Sequence, residues 1–447
     1  MKIPQLLQKI SLTRFHLSPR NFFLLLSVAV GIVAALAAVA LKQATHGLEA
    51  LMEVHKKGTN YSLLILPVIG IILATLYTQL VQKGKLGRGI SNVVKNIYNK
   101  SSYMEKDKMY SHLVTSSLTV GFGGSMGLEA PIVVTGAAFG SNIASLFHLD
   151  YKERTLLLAC GAAAGISAIF GAPIAGVLFS IEVLLGEFST VNFVPLLIAS
   201  AIASVISQLL YSGGQIFHLF DKGWDIKALP FYILLSVITG FYSVYVMKGI
   251  AYSENLLKPI TSPYKKAIIG GVIIGGLVFL FPPLYGEGYH TVQMLLNSDY
   301  TTLFNGSPFY SFSNNGFSGA IALLMFTLGI MLVKIVATQL TVSSGGNGGF
   351  FAPSLFMGSM VGFFFVYSIN YFNIGRIMGI DKLNEPNFIA VAMAGLMSGV
   401  MHTPLTAIFL IAEVTGGYGL LVPLMIVSSF SFLISKYFQP NSIYVKH

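Results

Sequence analysis

Charge is what this sequence has least of. Asp, Glu, Lys and Arg make up 10% of its 447 residues against 54% hydrophobic, and the mean hydropathy is +0.74. So few charges cannot cover the water-exposed surface of a chain this long, which excludes a soluble globular protein and requires an integral membrane one. Cysteine is nearly missing as well. Cys160 alone cannot form an internal disulfide, and the sequence has neither a CxxC pair nor a Cys/His cluster to hold a metal. No P-loop, serine elbow or metalloprotease pattern stands at a suitable place, so the chain is not read as an enzyme and no cofactor is expected.

What charge there is carries information through its position. The net charge of +10 would suit nucleic acid, but the basic residues are concentrated in two segments. Residues 1–20 hold Lys2, Lys9, Arg14 and Arg20 with no acid, and residues 83–108 hold seven lysines and arginines against Glu105 and Asp107. Two apolar runs, Asn21–Lys42 and Ser62–Val81, separate them. Basic segments two spans apart lie on the same side, and the positive-inside rule places both, with the N-terminus, in the cytoplasm. The first run is longer than a signal-peptide core and has no small-residue cleavage site after it, so it is read as retained.

At about 20 residues per spanning helix the chain has room for on the order of ten to eighteen membrane-inserted segments. One polytopic all-α domain over 21–447, after a basic segment 1–20, is the economical reading. Leu156–Leu185 is apolar but broken by Gly165, Gly171 and Pro173. Phe193–Leu210, Tyr232–Met247, Ala267–Leu284, Ala320–Leu340, Ser354–Tyr371, Phe388–Glu413 and Leu420–Tyr437 read as further spans. Residues 286–318, rich in Asn, Ser, Gly and Tyr, read as an aqueous loop. After Tyr437 the sequence has no tail long enough for a soluble regulatory domain.

The chain is organised around Gly121–Ile143, GFGGSMGLEAPIVVTGAAFGSNI. Glycines let the backbone leave helical geometry, and Pro131 suits a first helical turn. A helix is therefore predicted to start inside the membrane with Glu129 at its end. Such a start presents N–H groups and a positive dipole end, which favour an anion. The stretch has a partner: GSMGLEAP (Gly124–Pro131) resembles GGNGGFFAP (Gly345–Pro353), with Pro353 lying 222 residues after Pro131. GAPIAGVLFSIEV (Gly171–Val183) likewise matches HTPLTAIFLIAEV (His402–Val414) at an offset of 231. Repeat halves of about 62–247 and 267–437 follow. A repeat with Gly/Pro-interrupted helices at corresponding places points to a transport site between facing half-helices. The pattern alone leaves inverted and parallel repeats equally open. Glycine and proline also serve close packing and kinks, but two matching stretches at nearly one offset, one carrying an acid, favour the site. Glu182 and Glu413 read as caps or helix–helix partners, Lys334 as snorkelling or locally paired, and His402 and Cys160 as packed residues.

These residues resemble the CLC chloride channels and proton-coupled anion exchangers, from about residue 25 to Tyr444. GRGIS (Gly87–Ser91) is similar to the family's GSGIP, GLEAP (Gly127–Pro131) to its GREGP or GKEGP, and GFFAP (Gly349–Pro353) to its GxFxP. Tyr444 in PNSIY stands where the family has its pore tyrosine. The resemblance implies a homodimer with one pore per subunit, each subunit an inverted repeat whose broken, re-entrant helices converge on a central anion path. It implies that the N–H groups of Phe350 and Phe351 and the hydroxyl of Tyr444 hold a dehydrated anion centrally. Leu128, Glu129 and Ala130 would serve an outer position, and Gly87 and Arg88 an inner one. Partial charges suit conduction, because a full buried charge would hold the ion too tightly. Glu129 would be the gate: ionised, its carboxylate competes for the anion's place, and protonated it swings away.

The sequence departs from the family pattern at three places. Val183 in IEV replaces the inner proton glutamate of exchangers, with Glu182 one residue earlier. Arg88 and Ser91 replace the serine and proline of GSGIP, which leaves anion preference open and can add a charge at the inner mouth. Ala130 adds a methyl group after Glu129. The resulting reading is a prokaryotic-type protein of the inner (plasma) membrane, in contact with lipid, not nucleic acid, that exchanges chloride or a related anion for protons. A passive voltage- or pH-gated chloride channel is the alternative, and a cation-coupled solute symporter is the competitor from another class.

Overall fold

The computed structural model describes residues 18–52, 59–87, 89–99, 101–186, 190–211, 217, 223–300, 302–310 and 316–444. The basic residues Lys2, Lys9 and Arg14 therefore lie outside the described residues, as does Arg88. The described chain is helical. Its α-helices are α1 Pro19–Leu51, α2 Leu66–Leu80, α3 Gly89–Tyr98, α4 Ser111–Gly121, α5 Glu129–Leu146, α6 Tyr151–Phe170, α7 Pro173–Phe179 and α8 Thr190–Leu210. They continue as α9 Leu229–Leu256, α10 Pro263–Leu280, α11 Tyr289–Leu296, α12 Gly316–Ser343, α13 Phe351–Tyr371, α14 Glu385–Met401, α15 Pro404–Thr415 and α16 Leu421–Phe438. Among the described residues nine helical segments are long and apolar enough to cross a membrane. Helices are the form that satisfies every backbone group without water, so this composition has little choice of fold.

The chain divides into two compact units. One comprises residues 1–43, 85–114 and 129–215, and the other 44–84, 115–128 and 216–447. In the first, α5 packs along α6 through Gly136 and Gly140, where a Cβ would be driven into the carbonyl oxygens of Gly161 and Leu157. In the second, α13 packs along α14 through Gly358 and Gly362, where a Cβ would lie 2.8 Å from the carbonyl oxygens of Ala392 and Phe388. The glycines repeat at 222 residues and the carbonyls they face at 231. The repeat read from the motifs is thus also a repeat of small-residue helix packing.

Both long apolar stretches read as interrupted or continuous spans are broken at equivalent points. Gly171 caps α6 in the left-handed region (φ 68°), its N–H donating to Ser167 O at 2.8 Å, and His402 caps α14 likewise (φ 60°), donating to Ser398 O at 3.0 Å. Pro173 and Pro404 then open α7 and α15. Phe388–Glu413 is therefore two short helices, not one span. Gly165, read as a break, lies inside α6 and serves close approach: a Cβ there would come within 2.9 Å of Ile132 O.

Residues 286–318 are not simply an aqueous loop. They contain α11, and Val292, Leu295, Leu296, Leu303 and Phe304 are buried. The polar composition hid a short apolar set that packs on α13 and α14; the Tyr300 ring lies tilted against that of Phe363, centroids 4.8 Å apart, and its hydroxyl donates to Glu385.

Candidate functional site

Two glycine-rich loops meet within the second unit. Gly123 (φ 95°) and Gly345 (φ 103°) turn the chain out of α4 and α12 through a region that L side chains rarely adopt. The N–H of Gly124 donates to Thr119 O at 2.7 Å, and that of Gly346 to Thr341 O at 3.0 Å. The two loops then exchange bonds. Ser125 N–H donates to Thr341 Oγ1 at 3.3 Å, and Asn347 N–H to Thr119 Oγ1 at 3.0 Å. Gly127 and Gly349 pair reciprocally in an antiparallel bridge, with N···O distances of 3.0 and 2.8 Å. Ser125 and Asn347, Thr119 and Thr341, and Gly127 and Gly349 are each 222 residues apart, so each bond has its repeat-related counterpart. Equivalent residues bonded reciprocally in antiparallel fashion are related by a local two-fold axis, with their chains running in opposite directions. The repeat is therefore inverted, which the sequence pattern left open.

Each loop leads directly into a helix. Phe350 is the N-cap of α13 with no side-chain cap, and Phe351, its first helical residue, is buried. The N–H groups of such a first turn have no partner within the helix and point along the dipole. The carbonyl of Phe350 instead accepts from Ser354, through the N–H at 3.0 Å and Oγ at 2.7 Å. Tyr444 is buried, and its hydroxyl contacts Met401 Sδ at 3.4 Å. Leu128 ends the other loop.

The first unit holds the remaining candidates. Glu129 is the first residue of α5 and 1% exposed. Gly87 (φ 86°) and Gly89 (φ 44°) adopt left-handed conformations where α3 begins. A Cβ on Gly89 would lie 3.8 Å from that of Ala130, which brings the GRGIS segment beside the start of α5. Val183 lies in a π-helical turn, Ser180–Leu185, that follows α7 and packs against α3. Its repeat counterpart α15 stays α-helical. π-turns inside helices are frequent at functional sites.

Sequence reasoning missed two charged residues of the second unit. Lys334 neither snorkels nor pairs locally: it is wholly buried, and its Nζ donates to Ser125 Oγ at 2.8 Å and lies 3.5 Å from the carbonyl oxygens of Leu284 and Gly286. Its ammonium also sits 4.6 Å from the Phe356 ring centroid. A lysine at the centre of a membrane helix costs on the order of 3 kcal/mol, which such partners offset. Glu287, 7% exposed, stands between two left-handed glycines, Gly286 (φ 57°) and Gly288 (φ 82°). Its Oε1 accepts the N–H of Leu128 at 3.2 Å. Position within α12 was the available signal for Lys334. It is nine residues, or about 13 Å of helix, from Ser343, beyond the reach of its side chain to that end.

Inverted loops that each feed a helix start define a membrane transport protein. The family model described as voltage gated chloride channel matches residues 69–436. The chain belongs to that family, whose members are transporters and channels. It is 28% identical over 451 residues to a protein named voltage-gated ClC-type chloride channel ClcB from Escherichia coli O17:K52:H18, covering 95% of this chain and 98% of the relative. Among solved structures it is similar to a slow cyanobacterial Cl−/H+ antiporter (TM-score 0.78, 22% identity, 96% of this chain and 97% of the other). A CLC-type fluoride/proton antiporter is also similar (TM-score 0.74, 26% identity, 94% and 96%).

Proposed function

We propose that the protein exchanges chloride or a related anion for protons across a bacterial inner membrane, as a lipid-embedded homodimer with its N-terminus in the cytoplasm. The observation that carries this reading is the reciprocal pairing of Gly127 with Gly349, which fixes two inverted loops at the entrances to helices. In this reading Phe350 and Phe351 N–H and the Tyr444 hydroxyl bind the anion centrally, Leu128, Glu129 and Ala130 serve the outer position, and Gly87 and Arg88 the inner one. Glu129 is the gate and the proton carrier. The name of the similar ClcB proteins supports chloride transport, and that of the fluoride/proton antiporter, 26% identical, supports coupling to protons. Val183 favours the second reading, a passive channel, because an aliphatic side chain carries no proton.

Flux from liposomes containing the purified protein separates the two. Under a chloride gradient, protons driven uphill in proportion to chloride are the expected result. Chloride movement without protons would establish the channel. If another anion moves in place of chloride, the substitution at Arg88 is the first place to look, and if no anion moves the transport reading is wrong.

Tyr444→Phe tests the central donors. Removing one neutral hydroxyl donor while backbone N–H groups remain is expected to weaken chloride binding by about 1 kcal/mol, roughly fivefold in Kd, measured by calorimetry. Complete loss of binding would mean that the site chemistry is otherwise.

A further inference from the structure

We infer that Glu287 is a second chain-borne anion, seated on an amide of the outer anion position and competing with the transported ion for it. The inference rests on the transport reading above. Its starting point is geometric: Leu128 N–H, a donor that reading gives to the anion, is already bonded to Glu287 Oε1 at 3.2 Å. A carboxylate oxygen and a halide are alternative acceptors for one N–H, so an anion that takes the amide must displace Glu287.

The surroundings hold the carboxylate there. The left-handed glycines Gly286 and Gly288 turn the chain on either side of it. Lys334, on α12, sits 3.5 Å from the carbonyls of Leu284 and Gly286 and 2.8 Å from Ser125 Oγ, so one ammonium ties the Glu287 turn to the Gly124–Leu128 loop. Ser125 Oγ in turn donates to Leu284 O at 2.6 Å. An acid and a base both buried in a membrane chain, and both fastened to the loop that precedes Glu129, exceed what capping one amide requires.

Other ionisable groups near Glu287 are Glu49 of α1, whose Oε1 would lie 2.9 Å from a Cβ on Gly286, and Tyr285, whose hydroxyl donates to Gly121 O at 2.7 Å. Glu129 follows Leu128 in the chain and is proposed to titrate with anion binding itself. Its contribution is removed by working in the Glu129→Gln background.

The experiment is calorimetric chloride titration of the purified full chain at mildly alkaline pH, with Glu129→Gln compared with Glu129→Gln/Glu287→Gln. The second substitution keeps an acceptor for the Leu128 N–H without the charge. The double variant is expected to bind at least about tenfold tighter than Glu129→Gln alone, because a like charge at the same donor has gone. Affinities within about twofold would make Glu287 a structural cap and overturn the inference. Should Glu287→Gln not fold, Glu287→Asp carries the same test, since its shorter stem withdraws the charge from the amide; tighter binding supports the inference and unchanged binding overturns it. Wild-type flux in liposomes reports separately on the transport reading, so the two can fail independently.

Discussion

Glu129→Gln is expected to leave chloride flux through the protein while abolishing the proton movement coupled to it. Glu129 is 1% exposed at the first position of α5, where the helix dipole stabilises negative charge and burial opposes it. In the proposed mechanism the ionised carboxylate satisfies the helix start as an anion would, and the protonated acid gives up that role to chloride. Glutamine has the shape of the protonated acid and can never ionise, so it fixes the second state. The anion path then stays open and the proton has no carrier. Dual recording from liposomes should show uphill proton movement falling by at least about tenfold, to the background of empty vesicles, with chloride flux of the same order as wild type. Proton movement at the wild-type ratio would remove Glu129 from the mechanism. Because Val183 cannot carry a proton, retained coupling in the wild type would also mean that the inner half of the route is supplied by water or another group.

How much of this was legible in the sequence depended on whether the signal was local. The breaks at Gly171–Pro173 and at the two Gly-rich motifs were legible, because left-handed glycines and N-terminal prolines act within a few residues. The break at His402 was not: a histidine in the left-handed region carries no glycine signature, and its ring is held 5.5 Å from that of Phe432, far along the chain. The sense of the repeat was illegible for a different reason. A motif duplicated at one offset looks the same whether its copies run parallel or antiparallel, and only the bonds between the loops, such as Thr119–Asn347 and Ser125–Thr341, distinguish them. Glu287 and Leu128 are 159 residues apart, and Lys334 and Ser125 are 209 apart. Each looks like an isolated oddity until the chain folds. Glu129 and the Phe350–Phe351 pair stood out because one short motif carries both the unusual backbone and the chemistry.

The second large effect concerns packing and not transport. Gly358→Val is expected to prevent α13 and α14 from closing on one another, and Gly276→Ala to be harmless. A Cβ at Gly358 would lie 2.6 Å from Met393 Cα and 2.8 Å from Ala392 O, both of them backbone atoms that no rotamer change can move. Overpacking of this kind costs about 1–3 kcal/mol where side chains can yield, and more where the helices themselves must separate. Separation would also forfeit the close contacts that hold membrane helices together, since lipid supplies no hydrophobic drive between them. The same helix pair positions the start of α13 at Phe351, so the loss reaches the candidate site as well as the fold. Gly276 on α10 has nothing within 4 Å of its Cβ position, and alanine there should gain roughly 0.5–1 kcal/mol of helix propensity. Thermal unfolding in detergent, followed by monodispersity on gel filtration, measures both. A Gly358→Val protein that remains monodisperse with an unchanged Tm would show that α13 and α14 can part without loss, and that the glycine repeat is not what sets their spacing.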